Sequence, residues 1–241
     1  MVDEPSWSYP ELVHGDAELA APARLMAEPA RAAMLVALLD GRSLPASELA
    51  AIAGVKAPTA SAHLARLVEG GLVTDRRLGR HRYFTLAGPD VAEAVEALQR
   101  IAPREAVSSY RQSTTAQRLA EARSCYDHLA GATALRLADA LVAEGTLTPL
   151  EPGKPGRILD ADGELAVTLR VQAVPVEGRR PAVRGCLDWT ERRPHIAGRL
   201  GAHLLDTMLA EGWMSRVPGD RSLRITPAGR DALAALRPDP R

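Results

Sequence analysis

Glycine and proline cut residues 47–88 into short pieces, and this punctuation constrains the chain more than any bulk property does. Residues 47–53 form a short helical stretch closed by Gly54; residues 57–69 open on Pro58 and close on Gly70-Gly71. Proline fits the first turn of a helix, where its missing N–H is not needed, and glycine takes the left-handed conformation that ends one. On the second piece Leu64, Leu67 and Val68 share a face, so it predicts a helix buried on one side. Two short helices joined by a glycine-containing turn make a helix-turn-helix pattern. Beyond it, residues 72–77 and 82–86 are β-prone around Leu78-Gly79-Arg80-His81, which reads as a hairpin, or wing.

The flanks extend this unit. Leu19, Leu25, Met26, Met34, Leu35, Leu38 and Leu39 recur at helical spacing, with Pro22 and Pro29 dividing the run into two helices that stop at Asp40-Gly41. After the wing, Val91, Ala94, Val95, Leu98 and Ile101 predict an amphipathic helix that ends before Pro103. Residues 1–15, with Pro5, Trp7, Tyr9 and Pro10, carry no periodicity and read as a flexible arm. From 104 to 145 the pattern is helical again, interrupted near Gly131; a proline- and glycine-rich loop follows, then strand-like 165–171 and 182–184, and a helix over 194–209. Residues 213–215 and 222–225 bracket Pro218-Gly219-Asp220 as a second hairpin, before a last helix over 228–236. The fold class is mainly α with small β-hairpin wings, an α+β arrangement. It divides into the arm (1–15), a winged helix-turn-helix domain (16–103) and a C-terminal α+β domain (104–241). The order helix, glycine, hairpin, Thr-x-x-Gly, helix occurs in both halves, which is either a degenerate second winged helix or an independent helix-hairpin-helix unit.

Composition excludes more than it selects. The 30 Lys and Arg balance 30 Asp and Glu, so whole-chain charge names no partner. Charged residues break every apolar stretch well short of the roughly 20 residues a membrane span needs, and Met1-Val2-Asp3-Glu4 lacks a basic leader, which predicts a cytoplasmic chain with no membrane partner. Two cysteines are too few for a disulfide framework or a Cys-only zinc site. With no glycine-rich phosphate loop and no nucleophile motif, an enzyme is not expected.

Charge is uneven locally. Residues 56–82 hold Lys56, Arg66, Arg76, Arg77, Arg80 and Arg82 against only Glu69 and Asp75, the pattern of a phosphate-binding footprint. Thr59, Ser61, Ala62, His63 and Arg66 lie away from the apolar helix face, where small polar side chains enter a major groove, and Arg80 and Arg82 on the hairpin would reach phosphate or the minor groove. The expected partner is a double-stranded DNA operator. The competing reading is an interaction module with a solvated basic face, which would ignore a random duplex even at low salt.

Glu28-Pro29-Ala30-Arg31, Ala57-Pro-Thr-Ala-Ser-Ala-His-Leu-Ala-Arg-Leu67, Glu69-Gly-Gly-Leu-Val73 and Arg76-Arg-Leu-Gly-Arg-His-Arg-Tyr-Phe-Thr-Leu86 resemble the ArsR family of winged-helix repressors, over roughly residues 17–102. The resemblance implies a homodimer paired through the first helix and residues 90–101, recognition-helix positions at Thr59, Ser61, His63 and Arg66, a wing at Gly79, Arg80 and Arg82, and a repressor released by an effector. Metal-sensing relatives carry cysteines beside the helix before the turn, or Asp and His in the last dimer helix. Residues 47–53 and 91–101 contain neither Cys nor His, so those sites are absent. Effector sensing then falls to the extension after Pro103, whose motifs at 123–131 and 184–195 resemble a subgroup with such an extension.

In that extension Cys125 and His128 share a face of an expected helix, and Cys186 and His195 are the other close pair. Two thiols and two imidazoles suffice for a tetrahedral zinc site, although the spacing is looser than a zinc motif; the alternatives are buried small cysteines with hydrogen-bonded histidines, or a thiol redox switch tuned by Arg123 or Arg184. Asp188-Trp189-Thr190-Glu191 reads as a capping box for the helix opened by Pro194. Arg123, Tyr126, Trp189, Arg192 and Arg193 offer aromatic and cationic surface for an organic ligand. The expectation is an organic effector held between residues 126–128 and 189–195, with no metal and no cofactor. A metal- or redox-responsive regulator using Cys125, His128, Cys186 and His195 is the alternative.

Overall fold

A computed structural model describes residues 17–103, 109–175 and 177–235; the expected arm lies outside them. In the first half α1 (Ala20–Met26) and α2 (Pro29–Leu38) precede a two-residue strand β1 (Leu44–Pro45), then α3 (Ala46–Ile52), α4 (Ala57–Glu69), β2 (Val73–Leu78), β3 (His81–Leu86) and α5 (Pro89–Ile101). Pro29 occupies the first turn of α2, and the Glu28 carboxylate caps it by accepting the Arg31 N–H at 2.9 Å. The strands lie in the order β1-β3-β2, with β2 and β3 antiparallel from Val73↔Leu86 to Leu78↔His81. Met34, Leu35, Leu38, Leu49, Leu64, Leu67, Phe84 and Val95 form one core, which holds α4 against α2 and α3 and leaves its other face outward.

The second half runs α6 (Tyr110–Glu121), β4 (Arg123–Cys125), β5 (His128–Ala130), α7 (Ala132–Ala143), β6 (Pro155–Gly156), α8 (Glu164–Thr168), a 3₁₀ turn (Val171–Ala173), β7 (Val183–Leu187), β8 (Pro194–Ala197), α9 (Gly198–Ala210), β9 (Met214–Arg216), β10 (Leu223–Ile225) and α10 (Pro227–Ala235). Leu137, Leu141, Leu147, Leu200, Leu204 and Met208 belong to its separate core. No helix among the described residues is long and apolar enough to cross a membrane.

Three local expectations are corrected. Residues 123–130 are a hairpin, not helix, because their backbone is claimed from far along the chain: Ser124 N–H donates to Arg221 O at 3.0 Å, and Leu223 N–H to Ala122 O at 2.9 Å. Residues 165–171 are not a strand; the Glu144 carboxylate accepts the N–H groups of Leu165 and Ala166 at 2.7 and 3.3 Å, capping α8 from outside. The helix expected from Pro194 starts at Gly198, since residues 194–197 pair with β7 from Leu187↔Pro194 to Arg184↔Ala197. Asp188 therefore does not cap α9, although its carboxylate also accepts the N–H of Gly131, the residue before α7, at 2.8 Å. It closes the β7–β8 turn, accepting the N–H groups of Thr190 and Glu191.

The order helix, glycine, hairpin, helix occurs in both halves, but its Thr-x-x-Gly element does not match: Thr85 lies inside β3 and Gly88 precedes α5, whereas Thr226 follows β10 and Gly229 lies inside α10. Gly71 (φ +71) and Gly212 (φ +67) end α4 and α9 in the left-handed region. Leu72 N–H then donates to Leu67 O at 3.0 Å and Trp213 N–H to Met208 O at 2.9 Å, and the returning strands close alike through Ala87 N–H to Leu72 O and Thr226 N–H to Trp213 O.

Among the described residues the halves meet at the end of α2, on the inner face of α5, and through an exposed ion pair of Arg184 with Glu93 at 2.9 Å. At the end of α2, Tyr126 N–H donates to Leu39 O at 2.7 Å, Ser124 Oγ donates to the buried Asp40 carboxylate at 2.7 Å, and Arg216 pairs with the same carboxylate. On the inner face of α5, Arg221 donates to Glu96 at 2.6 Å and to Gln99 at 2.9 Å, with both members of the ion pair buried.

Candidate nucleic-acid interface and a buried Cys-His cluster

On α4, Ala60, Leu64 and Leu67 are buried, while Thr59, Ser61, Ala62 and Arg66 are exposed and Lys56 stands exposed at the N-cap. His63 departs from the expectation. It is half-buried against the start of α2, with Nδ1 3.5 Å from the Glu28 carboxylate but not hydrogen-bonded to it, so it sits between α4 and α2 rather than facing outward. Ser61 Oγ donates back to Ala57 O at 3.0 Å. On the wing Arg76, Arg77, Arg80 and Arg82 are all exposed. Arg82 is engaged within the hairpin: Nε donates to Asp75 at 2.8 Å, and the guanidinium lies 5.3 Å from the centre of the Phe84 ring. The Arg82 hydrogen bond holds the Asp75 carboxyl below its ordinary range. Sequence reasoning counted Asp75 only as a charge; the hairpin register names its partner, because Asp75 pairs with Phe84 and Arg82 is the diagonal neighbour on the same face.

In the second half two short hairpins stand against each other. Cys125 lies directly across from His128 in β4–β5, and Cys186 directly across from His195 in β7–β8. The four ligating atoms all fall within 4.8 Å of one another, with the sulfurs 3.9 Å apart and the imidazole centres 5.1 Å apart. Cys125, His128 and His195 are buried and Cys186 is half-buried. His128 Nε2 and both His195 nitrogens have no hydrogen-bonding partner among the described residues, a condition that costs about 1–3 kcal/mol for each buried group left unmet. The contact with Cys186, together with burial, pushes the Cys125 thiol up; burial and the neighbouring His128 push His195 down.

Each histidine has a carboxylate behind it. Asp127 Oδ1 lies 3.2 Å from His128 Nδ1, and Asp188 Oδ2 lies 3.7 Å from His195 Nδ1. Both carboxylates are held by arginine. Arg180 grips Asp127 with two guanidinium nitrogens, and Arg123 donates to Asp188 at 2.9 Å while its guanidinium lies 4.9 Å from the Trp189 ring centre. Burial works to raise both carboxyls, but the arginines and accompanying hydrogen bonds outweigh it and hold them well below the usual range. The expected organic surface is thus built differently from its sequence reading: Arg123, fully buried, donates to Asp188, and Trp189 packs on the Arg123 guanidinium. Tyr126 packs on the core of the first half, Arg193 pairs with Asp139 at 2.6 Å, and Arg192 is exposed. Asp127 and Asp188 were missed as partners of the histidines, and Arg180 as the partner of Asp127; only Asp127, adjacent to His128, carried a local signal.

With this geometry in place, comparisons with known proteins add the following. A family model described as a helix-turn-helix domain matches residues 26–76. The HTH-type transcriptional regulator YdfF of Bacillus subtilis is 41% identical over 213 residues, covering 87% of this chain and 92% of the relative. Among solved structures, HlyU from Vibrio cholerae is 30% identical with a TM-score of 0.32, covering 34% of this chain and 88% of that one. The homodimeric winged helix-turn-helix DNA-binding domain Mb0332 from Mycobacterium bovis is 31% identical with a TM-score of 0.32, covering 36% and 86%.

Proposed function

We propose a function from one premise: the chain belongs to the helix-turn-helix transcriptional regulators. It is a DNA-binding regulator of winged-helix type. Beyond that coarse statement, our reading is a homodimer that binds a specific operator as a repressor and is released by an effector sensed in its second half. One observation carries the DNA-reading part: the outward face of α4 and the wing concentrates Lys56, Thr59, Ser61, Arg66, Arg76, Arg77, Arg80 and Arg82 in a chain of zero net charge. In this reading α4 enters the major groove with Thr59 and Ser61 near base edges, and the arginines contact phosphate.

The dimer is supported by the outer face of α5, where Leu98 is 46% and Ile101 81% exposed, and by Leu19 at 78% just before α1; a second copy would cover them. The test is recovery of bound fragments from a genomic DNA pool, followed by salt titration of the best fragment. The expected result is a palindromic site with half-sites about one turn apart and a steep salt slope. Binding that is negligible on every duplex at low salt would leave the interaction-module reading in its place.

A further inference from the structure

We propose that Cys125, His128, Cys186 and His195 form a tetrahedral zinc(II) site that pins the two small hairpins of the second half together. Each hairpin contributes one cysteine and one histidine from directly opposed positions, and opposed residues on one face of an antiparallel pair stand close enough to act as a unit. The two faces meet across 61 residues of sequence with their sulfurs 3.9 Å apart. A tetrahedron with Zn–S bonds of ~2.3 Å sets the sulfurs about 3.8 Å apart, so the thiols already stand at coordination distance. All four ligating atoms lie within 4.8 Å of one another, about 1 Å beyond the separations that bonds of ~2.0–2.3 Å to one tetrahedral ion would set.

A second, independent observation is the unmet hydrogen-bonding capacity. His128 Nε2 and the His195 nitrogens are buried without partners, while Asp127 backs His128 through Nδ1. A carboxylate behind one ring nitrogen fixes the tautomer and leaves the other nitrogen to ligate metal. Donor chemistry selects the ion, since two thiolates and two imidazoles in a tetrahedron suit zinc, whereas oxygen-seeking cations are excluded. Binding releases the two thiol protons to solvent, so a divalent ion with two thiolates is neutral overall and can be buried. The site differs from the two metal sites implied by the ArsR resemblance, for which residues 47–53 and 91–101 supply no Cys or His.

The site also has a mechanical address. Ser124, one residue before Cys125, bonds Asp40 at the end of α2 and the backbone of Arg221, whose guanidinium holds Glu96 and Gln99 on α5; Tyr126, one residue after, bonds Leu39. Zinc would therefore stiffen the knuckle on which the DNA-reading half rests. This coupling, unlike the metal site itself, depends on the regulator reading.

The test uses the full chain, purified under reductant and dialysed free of loosely held ions. Elemental analysis is expected to find one zinc per chain, and replacement by cobalt(II) to give the intense visible bands of a tetrahedral thiolate complex. Metal content should fall at least about tenfold in Cys186→Ser and in His195→Asn. Asp127→Asn should keep the metal but weaken it about 10–100-fold in competition with a chromophoric chelator, a milder change that does not depend on the ligand variants folding. No zinc uptake by the reduced wild-type chain, retention of metal in Cys186→Ser, or octahedral cobalt spectra would each overturn the proposal. These readouts involve no DNA, so their failure is distinct from failure of the regulator reading. For the coupling, chelation is expected to change operator affinity at least fivefold, and unchanged affinity on fully stripped protein would remove the coupling.

Discussion

Arg123 is among the largest side chains that the fold buries completely, and its charge is answered by Asp188, which is equally buried. Removing one partner of such a pair leaves a desolvated charge, so Asp188→Ala is expected to cost about 3–5 kcal/mol in urea unfolding. Arg193→Ala, which breaks the exposed pair with Asp139, should cost less than about 1 kcal/mol. Equal losses in the two variants would show that the buried Arg123–Asp188 pair contributes no more than an exposed one. On the wing, Asp75 occupies Arg82. Asp75→Ala should therefore strengthen binding to all duplexes by releasing a cation and removing a repulsive charge, and should raise the salt slope by about 1; Arg80→Ala should lower it by about 1. An unchanged slope in both would take the wing out of the DNA contact.

At the scale of elements, the C-terminal end of α2 is where the two halves touch most closely. Gly41 follows it at φ +71, and a Cβ there would overlap the Tyr126 carbonyl oxygen. Gly41→Ala is expected to destabilise the fold by about 1–3 kcal/mol and to raise hydrogen exchange at Tyr126 N–H, which donates to Leu39 O, before the amides of α4 are affected. Simultaneous loss of protection in α4 would mean that the joint and the reading head unfold as one. Helix α5 has a different character on each side. Ala92, Val95 and Glu96 face inward, while Leu98 and Ile101 are exposed, so it can serve a core and a partner at once.

For the whole molecule, the proposed dimer has its interface on that outer face. Leu98→Glu with Ile101→Glu is expected to yield a monomer by light scattering, with operator affinity reduced about 10²–10⁴-fold because two half-sites are no longer engaged together. A dimer that survives both charges would place the interface elsewhere. The fragment 1–103 is expected to remain a folded, DNA-binding dimer, because the core that positions α4 is drawn almost entirely from residues 25–95. A monomeric or unfolded fragment would assign the second half to the dimer scaffold instead.

The helix-turn-helix punctuation, the wing, the two-faced α5 and the outward positions of α4 were legible in the sequence, since each depends on neighbours within a turn or a hairpin. His63 and Arg82 were only half legible, because periodicity places a residue on a face without saying which side chain from another segment meets it there; Glu28 and Asp75 did. Residues 165–171 were misread because a short apolar run fits helix and strand alike, and residues 123–130 because they continue a helical stretch without a local break; the outcome was set by Arg221, Leu223 and Glu144 from distant segments. The four Cys and His residues were visible as ligand types, but their meeting was not. A hairpin's register decides which cysteine opposes which histidine, and packing across 61 residues then sets the sulfurs 3.9 Å apart. Local steric preference acts along the chain and can be read from it, whereas burial and long-range hydrogen bonding act between segments that only the folded molecule brings together.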